Sequence, residues 1–527
     1  MDYLLLMFPP DALEHIVDLT SEKLQANGNA PTTMEEMIKF FGLVILATRF
    51  EFCSRRHLWS SYAITRWHKS PEFGQSGMGR NRFDAIWQHM QYSYQPLYKP
   101  QTMSSEEHRW MLVSDFVRFF NDYRDRQFVP SEKICVDESM IRWYGIGGDW
   151  INAGLPMYVA MDRKPENGGE IQNACCAVSG VMLRLRIVKS KKAELAANVL
   201  QHDINHGTAI IKELTMPWAG SWRVVAADSY FASVETAVEL YKVGLRFVGV
   251  VKTATKRFPM AALASVEFSG RGEWKGLIHK GAEGSPNVLA FVWVDTNRRY
   301  FVLTVSSCRP SAPIKRDRNR QVDKTVDADP ERVFLTIEQP QASALYYTMA
   351  AKIDQHNRSR QADLGIERKL GTKDWATRVN LSLFSMIVVD TYLVHKQATN
   401  SQESPNEFYH KLAEEMIEYE RLSRDRAGAV GDADALVTVA AEALGPRLTP
   451  TKRMRPDMKN KTPGSSGKKS VARHQGKCVT CKTMKTTWTC STCRDLHGNT
   501  TYLCNADARK QCYREHYGEC HSVTTNL

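Results

Sequence analysis

No run of about 18 consecutive apolar residues occurs in this sequence; the best candidate, Phe40–Ala47, is too short and is followed by Arg49, so no membrane-spanning helix is expected. The start, Met1–Pro10, carries Asp2 where a signal peptide would have its positive region, and secretion is not expected either. No internal repeat of 20–50 residues is visible, which argues against solenoids and propellers. The 12 cysteines do not form a disulfide framework. Cys53, Cys135, Cys175, Cys176 and Cys308 are scattered, mostly in apolar contexts, as reduced core thiols are. The other seven fall between Cys478 and Cys520, the distribution of a metal site in a reducing compartment. A mostly disordered chain is excluded by 43% hydrophobic and 24% charged residues. At about 100–200 residues per domain, 527 residues predict three or four domains.

The net charge of +12 is lopsided: Pro446–Leu527 holds 16 Lys and Arg against 5 Asp and Glu. A nearly neutral body with a basic tail points to a polyanion partner, most often nucleic acid, because clustered cations neutralise phosphates and release counterions. Along the chain, residues 1–125 read as helical. Thr32-Thr33-Met34-Glu35 has the form of a capping box, and Phe83, Ile86, Trp87 and Met90 recur at helical spacing. Near residue 131 the pattern changes. Lys133–Trp143, Asn173–Ser179, Val181–Val188, Trp222–Ala227 and Arg246–Val251 read as strands, with helices over Ala193–Asn205 and Ser233–Val243. That order defines a mixed α/β domain. Residues 256–340 read as a β-rich insertion with strands at Leu289–Val294 and Tyr300–Val305 and a charged loop at Lys315–Arg332. Helical periodicity returns over Ser343–Lys396 and Asn406–Leu422, with a further short helix in Ala427–Gly445. Pro446–Gln475 reads as a basic flexible linker. The expected segments are therefore 1–125, 126–255, 256–340, 341–400, 401–445, 446–475 and 476–527.

Two acids stand out. Asp137 sits midway through an otherwise apolar strand, and Asp228 follows Val224-Val225-Ala226-Ala227 at the C-terminal end of another, where open α/β sheets place their ligands. Carboxylates brought together repel unless a cation fills the gap, and hard divalent ions, Mg²⁺ above all, take such oxygen ligands. In the tail, Cys478-x₂-Cys481 and Cys490-x₂-Cys493 are followed by Cys504, Cys512, His516, Cys520 and His521. These are enough ligands for two tetrahedral Zn²⁺ ions, which would fold so small a segment. The expected arrangement is a cross-brace: Cys478 and Cys481 with Cys504 and Cys512, and Cys490 and Cys493 with His516 and Cys520. His521 stands as an alternative to Cys520.

Several motifs, in order, resemble the piggyBac transposase family. Met78-Gly79-Arg80-Asn81-Arg82-Phe83 is similar to its helical segment, Asp137-Glu138-Ser139-Met140 to its first catalytic motif, and Lys164-Pro165 with Gly168 to the segment that follows. Ala227-Asp228-Ser229-Tyr230-Phe231 resembles the second catalytic motif. Gly249–Pro259 resembles the strand that ends in a basic stretch, and Trp293-Val294-Asp295 a motif of the insertion. The resemblance implies an RNase H-like core interrupted by the β-rich insertion, with three aspartates. The third would be Asp354, in Ala351–Arg358, where Ala-Lys-Ile replaces the family's Gly-Gly-Val. Asp363, Glu367 and Asp374 are its rivals and read as solvated surface acids. Lys373-Asp374-Trp375 through Tyr392 resembles the closing helices, with Asp390 where Asn is usual.

By that resemblance, Asp137, Asp228 and Asp354 hold two Mg²⁺ for phosphoryl transfer. The expected activity is nicking of transposon ends, hairpin formation and joining of double-stranded DNA at TTAA targets by a homodimer, with no membrane or small-molecule partner. The zinc tail would bind the transposon ends, with Lys477, Lys482, Lys485, Arg494, Arg509, Lys510 and Arg514 on phosphates and Trp488 packing or stacking. Thr451–Pro456 and Lys468–Arg473 are read as nuclear import signals. The alternatives are a domesticated, catalytically silent DNA-binding protein, or a RING- or PHD-like zinc module acting on chromatin or ubiquitin.

Overall fold

A computed structural model of the chain describes residues 1–50, 54–62, 70–143, 155–159, 167–196, 204–282, 284–305, 314–321, 332–421, 448–450, 476–477, 485–486, 488–494 and 500–502. The chain divides into two compact units, residues 1–122 with 130–431, and residues 123–129 with 432–527.

The first unit opens with α1 (Asp2–Met7), α2 (Pro10–Ala26), α3 (Met34–Ala47) and α4 (Arg80–His89), followed by α5 (Ser105–Gln127), which belongs to this unit as far as Asp122. The cap of α3 falls one residue later than the sequence suggested. Thr33, not Thr32, accepts the Glu36 amide at 3.2 Å, and the Thr32 hydroxyl instead donates to the Glu36 carboxylate at 2.8 Å. Arg82 of α4 donates to both oxygens of that carboxylate, tying α4 to α3.

One sheet organises the rest of this unit. Its strands are β1 (Lys133–Arg142), β2 (Gly168–Cys176), β3 (Met182–Ile187), β4 (Val224–Ala227), β5 (Arg246–Val250), β6 (Trp274–His279), β7 (Val288–Val294) and β8 (Arg298–Thr304), in the spatial order β3-β2-β1-β4-β5-β8-β7-β6. The β2–β3 hairpin turns at Gly180, whose φ of +83° is a conformation that costs a side-chain-bearing residue energy. The pairs β1–β4 and β4–β5 are parallel and the others antiparallel. The β-rich residues after 256 therefore extend the same sheet, through β5–β8. Strand β6 carries no strong alternation and was not legible in the sequence. The edge strand β3 is closed off by Asn121, whose side chain bonds both the amide and the carbonyl of Leu185 at 2.8 and 2.9 Å.

Between strands run α6 (Lys191–Ala196), α7 (His206–Thr215), α8 (Val234–Lys242) and α9 (Met260–Ala264). Of the helix expected at Ala193–Asn205, residues 193–196 lie in α6 and residues 197–203 lie outside the described residues; a separate helix, α7, begins at His206. Ser233 caps α8 through the Thr236 amide at 3.0 Å, and Gly244, at φ +73°, follows its end. A second correction concerns Lys315–Arg332. Part of this expected loop forms β9 (Ile314–Gln321), paired antiparallel with β10 (Arg332–Gln339) from Ile314↔Gln339 to Gln321↔Arg332. Charged composition hid a strand whose backbone pairs locally.

The closing helices are α10 (Gln341–Arg358), α11 (Ile366–Lys369), α12 (Trp375–Thr399) and α13 (Pro405–Ile417), with a wide helical turn at Ser359–Leu364. α12 is long and apolar enough to cross a membrane by composition, but 89% of its apolar window is buried, as in a core helix. Phe41 of α3 stacks on Phe384 of α12 at 4.4 Å, so the N-terminal helices share the core of this unit. Gly42 lets α13 approach α3 closely: a Cβ there would lie 2.8 Å from Cβ of Met416.

In the second unit, β11 (Leu448–Pro450), β12 (Gly476–Lys477), β13 (Lys485–Thr486), β14 (Trp488–Arg494) and β15 (Thr500–Tyr502) form two small sheets, β11-β14-β15 and β12-β13. The helix expected within Ala427–Gly445 lies outside the described residues.

Candidate active site

Strand register brings the two acids together. Strands β1 and β4 run parallel, and their last pair is Val136↔Ala227, so Asp137 and Asp228 are the next residues on each. Beyond that point β4 ends while β1 continues to Arg142. Among the described residues the flank of β1 is then open, and its amides on that side have no strand to pair with. The Asp137 carboxylate takes one of them, the Glu138 amide, at 2.8 Å. Neighbours on a strand face opposite sides of a sheet, yet at this open flank one oxygen each from Asp137, Glu138 and Asp228 lie within 4.8 Å of one another.

Helices cover both faces around this point. Tyr346 of α10 lies beside Asp228, Asp137 and Cys135 on one face. On the other, Gln172 sits in register with Glu138 and Arg186. Arg186 donates to Gln172 at 2.8 Å and to Glu213 of α7 at 2.9 Å, and pairs with Glu194 of α6. The turn after β4 completes the site. The Tyr230 amide donates to the Asp228 carboxylate at 2.8 Å, and the Phe231 and Ala232 amides donate to the Asp228 carbonyl at 3.2 and 2.9 Å.

Burial, followed by the Glu138 carboxyl and the Asp228 charge, pushes the Asp137 carboxyl up to about 10. Burial also raises Asp228, opposed by the Tyr230 amide and by the charge of the exposed Lys252 after β5. Three hard oxygen donors that repel one another without a counter-charge fit a divalent cation.

Asp137 and Asp228 are thus brought together, and Glu138 joins them. The sequence reading missed Glu138, although its position next to Asp137 at a point where the strand loses its apolar character was a usable signal. Asp354 is not in this group. The inward stripe of α10 is Ala342, Tyr346, Met349, Ile353 and His356, and Asp354, one residue past Ile353, is exposed. The helix nevertheless runs alongside β1: Tyr346 neighbours Asp137, and Arg360, just past the helix end, donates to the Met140 carbonyl at 2.7 Å.

The rivals of Asp354 have other duties. Asp374 caps α12 through the Thr377 amide at 2.9 Å, and Asp363 accepts from Ser359 at 3.1 Å. Glu367, read as a solvated acid, is instead buried and paired with the buried Arg360, and it accepts the Arg142 amide at 3.3 Å. Asp390 is fully buried, 3.2 Å from His356 and accepting the Met182 amide at 2.8 Å, which gives an acid at that position a structural purpose.

In the tail, Cys490 and Cys493 lie on β14, and Arg494 is its last residue. Lys477 on β12 stands in register with Lys485 on β13. Cys478, Cys481, Cys504, Cys512, His516, Cys520 and His521, with Lys482, Arg509, Lys510 and Arg514, lie outside the described residues, as do both basic runs read as import signals.

A mixed sheet with acids converging where two adjacent parallel strands part, and helices on both faces, now has a family. Residues 1–392 match the family model described as Transposase IS4, and the chain belongs to that family. Its fold is similar to that of a piggyBac transposase solved by cryo-electron microscopy as a synaptic complex with hairpin DNA, with a TM-score of 0.58, 15% identity, and coverage of 91% of this chain and 93% of that one. No curated protein sequence matches the chain.

Proposed function

We propose that this protein is a DNA transposase in which Asp137, Glu138 and Asp228 hold a divalent cation, Mg²⁺ by the chemistry of the donors. The observation that carries the reading is the convergence of these three carboxylates at the open flank of β1 in a chain of this family. The strand order β3-β2-β1-β4-β5 supports an RNase H-like core. Bound there, the metal would lower the barrier to attack on a DNA phosphodiester by stabilising developing negative charge on oxygen. The chain's own residues do the positioning. The Tyr230 amide fixes the rotamer of Asp228, the Glu138 amide fixes that of Asp137, and the charge of Lys252, felt by Asp228, would favour an approaching phosphate.

Asp354 is proposed as a further carboxylate, reaching the site from α10 when DNA is bound. Hairpin formation, TTAA targets, action as a homodimer in the nucleus and recognition of transposon ends by a tail with two Zn²⁺ belong to the same proposal, on the strength of the motif resemblance.

The test is excision from a plasmid carrying the gene's own flanking DNA, with Mg²⁺, comparing the wild type with Asp228→Asn. Excision by the wild type and at least a thousandfold loss in the variant is expected, since the substitution keeps shape and removes charge; roughly 10³ corresponds to about 4 kcal/mol of transition-state stabilisation. Equal excision by both would remove Asp228 from the active site. DNA binding without excision by either would leave a silent DNA-binding protein.

A further inference from the structure

Beside the three carboxylates, apart from Tyr346 on α10, stands a second aromatic ring with no part in holding them. Tyr230 is 50% exposed, whereas its neighbour Phe231 is 2% exposed. Exposed aromatics are costly, because a ring of this size gains most from burial. This one is held outward by its backbone, which is fixed on three sides. Its amide is bonded to the Asp228 carboxylate at 2.8 Å. Its carbonyl abuts α7, where a Cβ on Gly207 would come within 2.8 Å of the oxygen. The following carbonyl, of Phe231, accepts the Thr236 hydroxyl of α8 at 2.7 Å, and Thr236 is in turn bonded to Thr208 of α7 at 2.8 Å. The turn is therefore wedged between the starts of two helices, and the backbone that carries the ring is fixed beside Asp228.

The ring itself meets Phe231 edge-on, with centroids 4.9 Å apart at 84°. Its hydroxyl makes no hydrogen bond among the described residues.

We propose that Tyr230 is a stacking platform for an unpaired DNA base next to the phosphodiester that the carboxylates act on. A nucleobase offers a π-face whatever its identity, so an aromatic ring binds it without reading sequence. Enzymes that act within a duplex commonly unstack a nucleotide near the reacting atoms and must give that base another surface. The ring begins two residues after Asp228, on a rigid turn, so a base resting on it holds the adjoining phosphate in register with the acids. The inference rests on the transposase reading and adds to it a positioning residue that contacts the DNA base.

The experiment uses the full chain and a duplex of the gene's flanking DNA with 2-aminopurine on either side of the excision point. Fluorescence is read with Ca²⁺ in place of Mg²⁺, and cleavage is then read with Mg²⁺. Tyr230→Phe is expected to keep the quenching and the cleavage of the wild type. Tyr230→Leu, similar in apolar bulk but lacking a π-face, is expected to leave the base brighter and to lower cleavage roughly ten- to a hundredfold. Mn²⁺ affinity and melting temperature of the Leu variant should match the wild type, since the amide that holds Asp228 remains. A Leu variant with wild-type fluorescence and cleavage overturns the stacking role, and so does a Phe variant as impaired as Leu or a Leu variant that has lost Mn²⁺ binding. A wild type that binds no DNA overturns the transposase reading and this inference with it; a wild type that cleaves, indifferent to Tyr230→Leu, overturns this inference alone.

Discussion

Burial and two carboxylate neighbours hold the Asp137 proton far more tightly in the folded chain than in the unfolded one, where the ordinary value of about 3.9 applies. Between that value and the folded value of about 10, the folded state keeps a proton that the unfolded state has released, so stability falls as pH rises across this window. A bound cation removes the repulsion and competes with that proton. Mg²⁺ or Mn²⁺ is therefore expected to raise the melting temperature more at pH 8 than at pH 5; equal shifts in a thermal-shift series would count against the cluster as a metal site. Single substitutions separate the two claims to the third carboxylate. In the DNA-free protein, Glu138→Gln should weaken Mn²⁺ binding by tenfold or more, as measured by calorimetry, because Glu138 is in the cluster. Asp354→Asn should leave that affinity unchanged, because its side chain is exposed, and should abolish cleavage once DNA is bound. Cleavage by Asp354→Asn at the wild-type rate would remove it from the mechanism.

Elements, not side chains alone, hold β1 at the right depth. Past Glu138 the strand has no strand partner on the β4 side among the described residues, and a buried lattice replaces it. Arg360 donates to the Met140 carbonyl at 2.7 Å and pairs with Glu367, Gln361 reaches the same carbonyl at 3.2 Å, and Arg378 bonds the Glu367 carbonyl. Arg360→Met should destabilise the protein by about 3–5 kcal/mol by leaving Glu367 buried without its cation. Urea unfolding would measure it, and a loss below about 1 kcal/mol would mean that the pair has an easy replacement. Much at this scale was legible in the sequence. β1, the β2–β3 hairpin, β4, α8 and β5 follow from apolar runs punctuated by Gly180, Ser233 and Gly244. Asp137 and Asp228 were legible because each interrupts or ends such a run. What stayed hidden depended on other segments. Glu138 becomes a site residue only because β4 stops at Ala227, and Glu367 is buried only because Arg360 lies beneath it. β9 looked like a loop because strand pairing is carried by backbone groups that composition does not report.

For the molecule as a whole, positive charge and cysteine are concentrated near the C-terminus. If the tail holds Zn²⁺ as proposed, chelation is expected to reduce DNA binding by the full chain while leaving the Mn²⁺ affinity of the carboxylates unaltered, because the two would use different ligands. Gel-shift titrations at 50 and 200 mM salt would check the electrostatic part. If the basic tail neutralises phosphates, affinity should fall steeply between those concentrations, by about tenfold or more. A flat salt response would remove the tail as the DNA contact.

Because β5 pairs with β4 on one side and β8 on the other, the stretch that interrupts the core is also its wall. A copy shortened between α9 and β10, as gene decay or an engineer might produce, would not be a smaller enzyme. It would expose the amides and carbonyls of Val248–Val250 along a flat, apolar margin, an adhesive surface for any neighbouring chain. Shortened forms of this protein should accumulate as aggregates, whatever becomes of their acids.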